Sequence, residues 1–361
     1  MATLESLFTV EAEDSELKQR YTQLLEDEPG LRRRDQAAKL NVSEAALIDN
    51  QCGIRSVRLK AKFKEIIEQL PTLGYIMTLT RNEQAVHERK GVYDNVRITG
   101  PMGLVITQDR AIDLRIMLGR WKHGFAVMEE TAKGPRFSLQ FFDATGTAIQ
   151  KIFLQPDSDA QAYVALMETF RAEEQSGNLL FTTEVEKPEY VETDSIDQDV
   201  FRKEWSEMTD VHQLFGMLRR YKLSRQQAFG VIGERWAQPF SPTQVERILT
   251  EAAASELSIM CFVGNNGQIQ IHTGPVQNIK RMGPWINVLD SEFNLHLMDG
   301  EVADAWLVRK PTADGDVTSL ELYNADGDTI AQFFGERQEG NPENPQWRTL
   351  AESVLGAEAA A

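Results

Sequence analysis

A chain of 361 residues with 42% apolar and 26% charged residues is long enough to bury the cores of two ordinary globular domains. Its 55 acidic residues against 38 basic ones leave a net charge of -17, which argues against a nucleic-acid partner and an anionic membrane surface, since both need concentrated basic charge. Cys52 and Cys261 are the only cysteines, which excludes a disulfide framework or zinc ribbon and fits a reducing cytoplasm.

The opening residues, MATLESLFTVEAEDSELK, have no basic segment ahead of an apolar run, and no later stretch approaches the roughly 18 apolar residues of a membrane span. The expectation is a cytoplasmic protein with no stable membrane insertion. Helical patterning covers roughly 14–70, a run of strands with Gly, Asn and Asp turns follows, and a helix near 158–173 closes the first half. An acidic, weakly patterned stretch ending in VETDSIDQD reads as an interdomain connection. Helices return over roughly 198–256, strands follow, and a last helix lies near 344–355.

Within that second helical run, EWSEMTDVHQLFGMLRR at 204–220 reads as one amphipathic helix with Leu214, Phe215, Met217 and Leu218 on its buried face. His212 opens the apolar stripe. The pattern alone leaves two readings open: a packed core histidine with both ring nitrogens satisfied, or a ligand pointing into a pocket.

The chain is written twice. FSLQFFDATGTAIQKIF at 137–153 aligns without a gap on TSLELYNADGDTIAQFF at 318–334, an offset of 181 residues, and each reads as a β-hairpin turning at Gly146 or Gly327. The same offset sets IDLRIMLG at 112–119 on FNLHLMDG at 293–300, so Arg115 and His296 are equivalent positions that have diverged. An offset of 191 pairs Arg34 with Arg225 in the helical parts. The predicted fold is α+β, a duplicated domain of N-terminal helices, a mostly antiparallel sheet and a closing helix. The predicted division is 1–175 as first repeat, 176–199 as connection and 200–361 as second repeat.

No phosphate-binding loop, dinucleotide fingerprint, HExxH zinc motif or GxSxG elbow is present, and GNNGQ at 264–268 reads as a turn between strands. The five histidines, His87, His123, His212, His272 and His296, are too dispersed for a local metal cluster. One histidine acting on a cofactor-borne metal remains open.

TRNEQAVHERKG at 80–91, AIDLRIML at 111–118, MTDVHQLFGMLRR at 208–220, LSRQQAFGVI at 223–232, FVGNNGQIQIHTG at 262–274, FNLHL at 293–297 and AWLVRKPTADGDVTSLELY at 305–323 resemble, in order and spacing, the HemS/ChuS-type cytoplasmic heme-utilisation proteins, or hemin-degrading factors. The likeness covers nearly the whole chain, including its duplication. It implies that His212 supplies the axial ligand to heme iron and that Arg115 meets the other face, donating to an iron-bound oxygen ligand. It further implies that Arg225, Lys310 and Arg337 meet the heme propionates, with Gln332 and Phe334 at further pocket positions. Phe334 stands where the family more often has tyrosine. Phe262 is a candidate apolar contact to the macrocycle, equally readable as strand core, and His87 and His296 are candidates for secondary heme contacts. A single heme site, formed mainly by the second half with Arg115 from the first, is the expectation.

Two functions use these same residues. In one, the protein takes up imported heme and degrades it oxidatively to release iron, with electrons from an external reductase or small reductant. In the alternative, it is a carrier that passes heme to a separate heme oxygenase. A duplicated structural or signalling domain without heme is a third reading, and the resemblance further implies a Gram-negative bacterium with a heme-uptake system.

Overall fold

The computed structural model describes Leu4, Phe8 and residues 15–175, 177–183, 188–337 and 340–356. They form two compact units, one built from 1–81, 88–185 and 265–270, the other from 82–87, 186–264 and 271–361.

The first unit opens with α1 (Glu16–Asp27), α2 (Arg33–Leu40) and α3 (Glu44–Asp49). The hydroxyls of Ser15 and Ser43 accept the first-turn amides of Lys18 and Ala46 at 3.1 and 3.2 Å, satisfying donors that a helix start leaves orphaned. The helical run predicted over 14–70 is interrupted by a short strand, β1 (Ser56–Arg58), before α4 (Phe63–Gln69). All three β1 residues are buried, so pairing rather than periodicity decides their conformation. Then come β2 (Gly74–Arg81), β3 (Ala85–Val92), β4 (Val96–Thr99), β5 (Met102–Ile106), β6 (Asp113–Met117), β7 (His123–Thr131), β8 (Gly134–Phe142), β9 (Ala148–Ser158) and the closing helix α5 (Ala160–Phe170). The order β1-β7-β8-β9-β2 makes an antiparallel sheet, and α4 and α5 cover it with Ile66, Ile67, Leu166 and Phe170 against Val57, Leu139, Phe141 and Ile152.

The second unit repeats this plan with α6 (Gln198–Ser206), α7 (Gln213–Tyr221), α8 (Arg225–Ile232), β10 (Ala237–Pro239), α9 (Gln244–Ala254), β11 (Ile259–Gly264) and β12 (Gln268–Gly274). It continues with β13 (Ile279–Met282), β14 (Trp285–Leu289), β15 (Phe293–Leu297), β16 (Asp304–Thr312), β17 (Gly315–Tyr323), β18 (Thr329–Gly335) and α10 (Pro345–Glu352). Its sheet runs β10-β16-β17-β18-β11. On one face α9 and α10 pack Ile248, Leu249 and Trp347 against Leu307, Leu320, Leu322 and Phe333. On the other, α6 to α8 pack Phe201, Trp205, Met217 and Phe229 against Val308 and Tyr323.

The aligned hairpins match residue for residue. Ser138 pairs with Phe153 and Ser319 with Phe334, and the register slips between Phe141 and Phe142 in one hairpin and between Leu322 and Tyr323 in the other. Both turns use a left-handed glycine, Gly146 at φ 80° and Gly327 at φ 82°, a conformation that a Cβ would strain. A second duplicated device is an asparagine turn. Asn82 accepts the amides of Gln84 and Ala85 at 3.0 and 2.8 Å and donates to the carbonyls of Gly264 and Ile330 at 3.1 and 2.8 Å within the second unit. Asn265 accepts the amides of Gly267 and Gln268, both at 3.0 Å, and donates to the carbonyls of Arg81 and Ile149 at 3.0 and 2.9 Å within the first. Among the described residues no helix is long and apolar enough to cross a membrane.

Candidate functional site

The second unit gathers most of the predicted pocket residues on one sheet face, and a period of two in the sequence is the reason. In β17, Leu320 and Leu322 belong to the core under α9 and α10, so Ser319, Glu321 and Tyr323 point to the opposite side. Lys310 of β16, Gln332 and Phe334 of β18 and Phe262 of β11 take up the same face. The register lines Phe262, Gln332 and Glu321 into one row across three strands. The rings of Phe262 and Phe334 meet at 4.9 Å, and the Lys310 ammonium lies 5.1 Å from the Phe334 ring centre. Phe334 thus offers that cation a ring face in place of a hydroxyl.

Glu321 is the hub of this face, and it is fully buried. Arg225 donates to both its oxygens, from Nη2 at 2.9 and 2.7 Å and from Nε at 3.0 Å. Tyr323 and Gln332 donate at 2.6 and 2.7 Å, Ser319 at 2.9 Å, and Lys310 forms a direct ion pair with it. Arg225 sits on the first turn of α8, fixed there by the reciprocal bonds between Ser224 and Gln227 that cap the helix. Burial pushes the Glu321 carboxyl up, but Arg225 and Lys310 outweigh it and hold the group well below the usual carboxylate range. Burial also pulls the Lys310 ammonium down to about 8 against the opposing pull of Glu321. Neither Arg225 nor Lys310 is a solvated surface charge, the reading each would receive from sequence alone.

His212 does not lie inside a helix. The stretch read as one helix over 204–220 is two, α6 ending at Ser206 and α7 starting at Gln213, with His212 as the residue before the first turn. Asp210 makes the break: its carboxylate accepts the His212 amide at 2.8 Å and the ring Nδ1 at 2.7 Å, a local bond that competes with helix continuation. The His212 side chain is 89% exposed, so it is no core histidine, and the ring nitrogen outside the Asp210 bond is Nε2. Donation from the His212 amide and then its ring pulls the Asp210 carboxyl down. Leu214, Met217 and Leu218 are buried as expected, whereas Phe215 is 76% exposed, contrary to its placement on the buried face. Its ring lies three residues beyond His212, on the solvent side of α7.

The remaining predicted residues are dispersed. Arg337, just past β18, bonds Asp314 at 3.2 Å rather than the Glu321 cluster. His296 on β15 shares Nδ1 with the side-chain oxygen of Asn287 at 2.6 Å. His87 is fully buried in the second unit, its ring 4.9 Å from that of Phe293, against which His272 also stacks at 3.8 Å. A heme contact at His87 would require this core to open. Arg115, on β6 of the first unit, is ion-paired to buried Asp113. No cluster of metal-ligating side chains occurs among the described residues.

The family model described as the haemin-degrading HemS.ChuX domain matches this chain twice, over residues 41–170 and 222–354. The chain belongs to the HemS family. Its hemin transport relative HmuS from Yersinia pestis is 39% identical over 348 residues, covering 96% of this chain and all of the relative. A solved structure described as holo-PhuS, a heme-binding protein from Pseudomonas aeruginosa, superposes with a TM-score of 0.90 at 44% identity, covering 94% of this chain and 98% of that one. One described as ChuS, a heme oxygenase from E. coli, does so with a TM-score of 0.84 at 38% identity, covering 93% and 99%.

The two matched HemS-family segments are the two copies read from the sequence, and the duplicated α+β fold is the family's. Sequence reasoning missed Glu321, Tyr323 and Asp210. A single carboxylate among 55 acidic residues carries no mark of its own in the sequence. The available signal was strand alternation: TSLELY places Ser319, Glu321 and Tyr323 together, and a glutamate on a face shared with two predicted cations needs a partner.

Proposed function

We propose that this chain binds heme in its second unit, with His212 as the axial ligand to iron and with Arg225, Lys310 and Gln332 receiving a propionate. The bound heme is then opened oxidatively to release iron, using electrons from an external reductase. One observation carries the proposal: His212 is exposed at a helix start with Nδ1 held by Asp210, which fixes the tautomer and leaves Nε2 as the donor. Metal-bound histidines are ordinarily oriented this way, the second nitrogen tied to a carboxylate that also raises the basicity of the first. The relatives are described as hemin transport, heme-binding and heme oxygenase proteins, which supports heme as substrate or cargo.

The chain's own residues bind and orient the tetrapyrrole. Exposed Phe215 supplies apolar area beside His212, Phe262 and Phe334 supply ring faces on the sheet, and the Glu321 cluster supplies the cations. Arg115 of the first unit keeps the role that the resemblance implies, a guanidinium donor to an oxygen ligand on iron, tested separately by Arg115→Ala. The same exposure of His212 favours a second reading, transfer without turnover, because an uncovered ligand exchanges readily.

Hemin titration of the purified protein tests the proposal. A saturable Soret shift that His212→Ala removes is expected, followed, on adding a reductant with catalase present, by loss of the macrocycle spectrum. Loss only when catalase is omitted assigns the chemistry to free peroxide and leaves the carrier reading. No saturable shift at all defeats both.

A further inference from the structure

The cation cluster is already one carboxylate full. We infer that Glu321 is a positioning and specificity residue that reduces the Arg225–Lys310 pair to a single net positive charge, so that this cluster neutralises one ligand carboxylate. The inference rests on the heme reading above and deepens it, by assigning the cluster to one propionate.

Charge counting leads there first. Arg225 and Lys310 carry two positive charges onto a face where Glu321, with no exposed surface, accepts from both. Glu343, which also acts electrostatically on Lys310, is paired with Arg348 at 3.0 Å and accepts the Thr318 amide at 2.6 Å, and Arg337 is paired with Asp314, so each of these outer charges has a partner of opposite sign. Geometry leads there next. Glu321 ties the guanidinium, the ammonium, the Tyr323 hydroxyl and the Gln332 amide to one point, so a second anion meets a preset arrangement and pays little to order it.

The duplication supplies an internal comparison. The residue aligned with Glu321 in the first unit is Gln140, buried on the same strand of the aligned hairpin, its amide bonded to Ser138 at 3.0 Å. That unit places its carboxylates elsewhere: Glu129 pairs with Arg33 at 2.8 Å, and Glu44 pairs with Lys151. The fold therefore accepts an uncharged isostere at this strand position, and the charge at 321 is a property of the second unit, not a requirement of the hairpin.

The test compares hemin with hemin dimethyl ester, in which both carboxylates are capped, and reads the ratio of the two dissociation constants for each variant by absorbance titration. The net charge of the cluster is zero in Lys310→Met, one in the wild type, one in the double variant Glu321→Gln/Lys310→Met, and two in Glu321→Gln. The preference for the free acid should vanish in Lys310→Met, return to the wild-type value in the double variant, and rise at least tenfold in Glu321→Gln. A merely structural role for Glu321 would weaken acid and ester alike and would not be rescued by the second substitution. A preference that falls or stays constant in Glu321→Gln overturns the inference. If that variant does not fold, failure of the double variant to match the wild type overturns it equally. A wild type that binds neither compound saturably defeats the heme reading itself, whereas wild-type binding with variants that leave this order defeats only the role of Glu321.

Discussion

Substituting Arg225 by methionine removes the guanidinium while keeping much of its apolar stem. Glu321 then loses its most extensive partner, with N···O contacts of 2.7, 2.9 and 3.0 Å, but keeps Lys310, Ser319, Tyr323 and Gln332. Removing one partner of a buried ion pair costs about 3–5 kcal/mol, because a charge is left under-compensated in a poorly polarisable surrounding. The four retained donors set the expectation at the low end, about 3 kcal/mol. At about 2–4 °C per kcal/mol for a unit of this size, the melting transition should fall by roughly 6–12 °C. Differential scanning calorimetry and urea titration at pH 7 measure it, and the cycle with Glu321→Gln reads the coupling between the two side chains. A loss below about 1 kcal/mol, or fully additive single effects, would refute the view that the two charges depend on each other.

His212→Ala should leave stability within about 0.5 kcal/mol of the wild type, since an exposed side chain contributes almost no packing, while abolishing axial ligation; a large fall in melting temperature would show a structural role instead. Asp210→Asn should raise the midpoint potential of the His212-ligated heme by weakening the imidazole as a donor, and an unmoved potential in spectroelectrochemistry would count against the Asp210 bond as an electronic device. Lys310, with its ammonium pulled down to about 8 by burial, binds fewer protons folded than unfolded between that value and its ordinary range. Its burial penalty is therefore present below pH 8 and lifts as pH rises, so unfolding free energy should climb with pH relative to Lys310→Met, by at most about 1.4 kcal/mol per pH unit; parallel profiles would contradict the shift. Gly335→Ala would set a methyl 2.7 Å from Cβ and Cγ of Trp347, a fully buried ring, and should cost about 1–3 kcal/mol by overpacking, readable in the same urea titration.

The repeat was legible because hairpins declare themselves locally: Gly146 and Gly327 fix two equivalent turns, and alternation fixes the faces of the strands that leave them. The strands β1 and β10 were hidden inside helical runs, since three residues carry no period and owe their conformation to antiparallel partners far along the chain. The break at Asp210 was hidden for a different reason. Side-chain capture of the His212 amide decides it, and an apolar stripe continuing through Leu214 masks such a bond. Phe215 shows the limit of hydrophobicity as a guide to burial: its ring is 76% exposed on α7, three residues beyond the exposed His212, and an exposed apolar ring can serve a binding surface instead of the core. Cations were visible as isolated letters, yet their mutual dependence on Glu321 arises only when β16, β17 and β18 are laid side by side.

The paired asparagine turns bear on how this molecule can be dissected. Residues 265–270 are encoded in the later copy but pack with the earlier one, and 82–87 do the reverse. A scissor cut anywhere in the acidic stretch at 176–199 therefore yields two fragments that each carry six residues belonging to the other. The fragment ending there lacks the amide that Asn265 brings to the carbonyls of Arg81 and Ile149, and its complement lacks the one that Asn82 brings to Gly264 and Ile330. Division of the chain at its midpoint therefore isolates neither compact unit as it stands here, since each one includes six residues encoded in the other half.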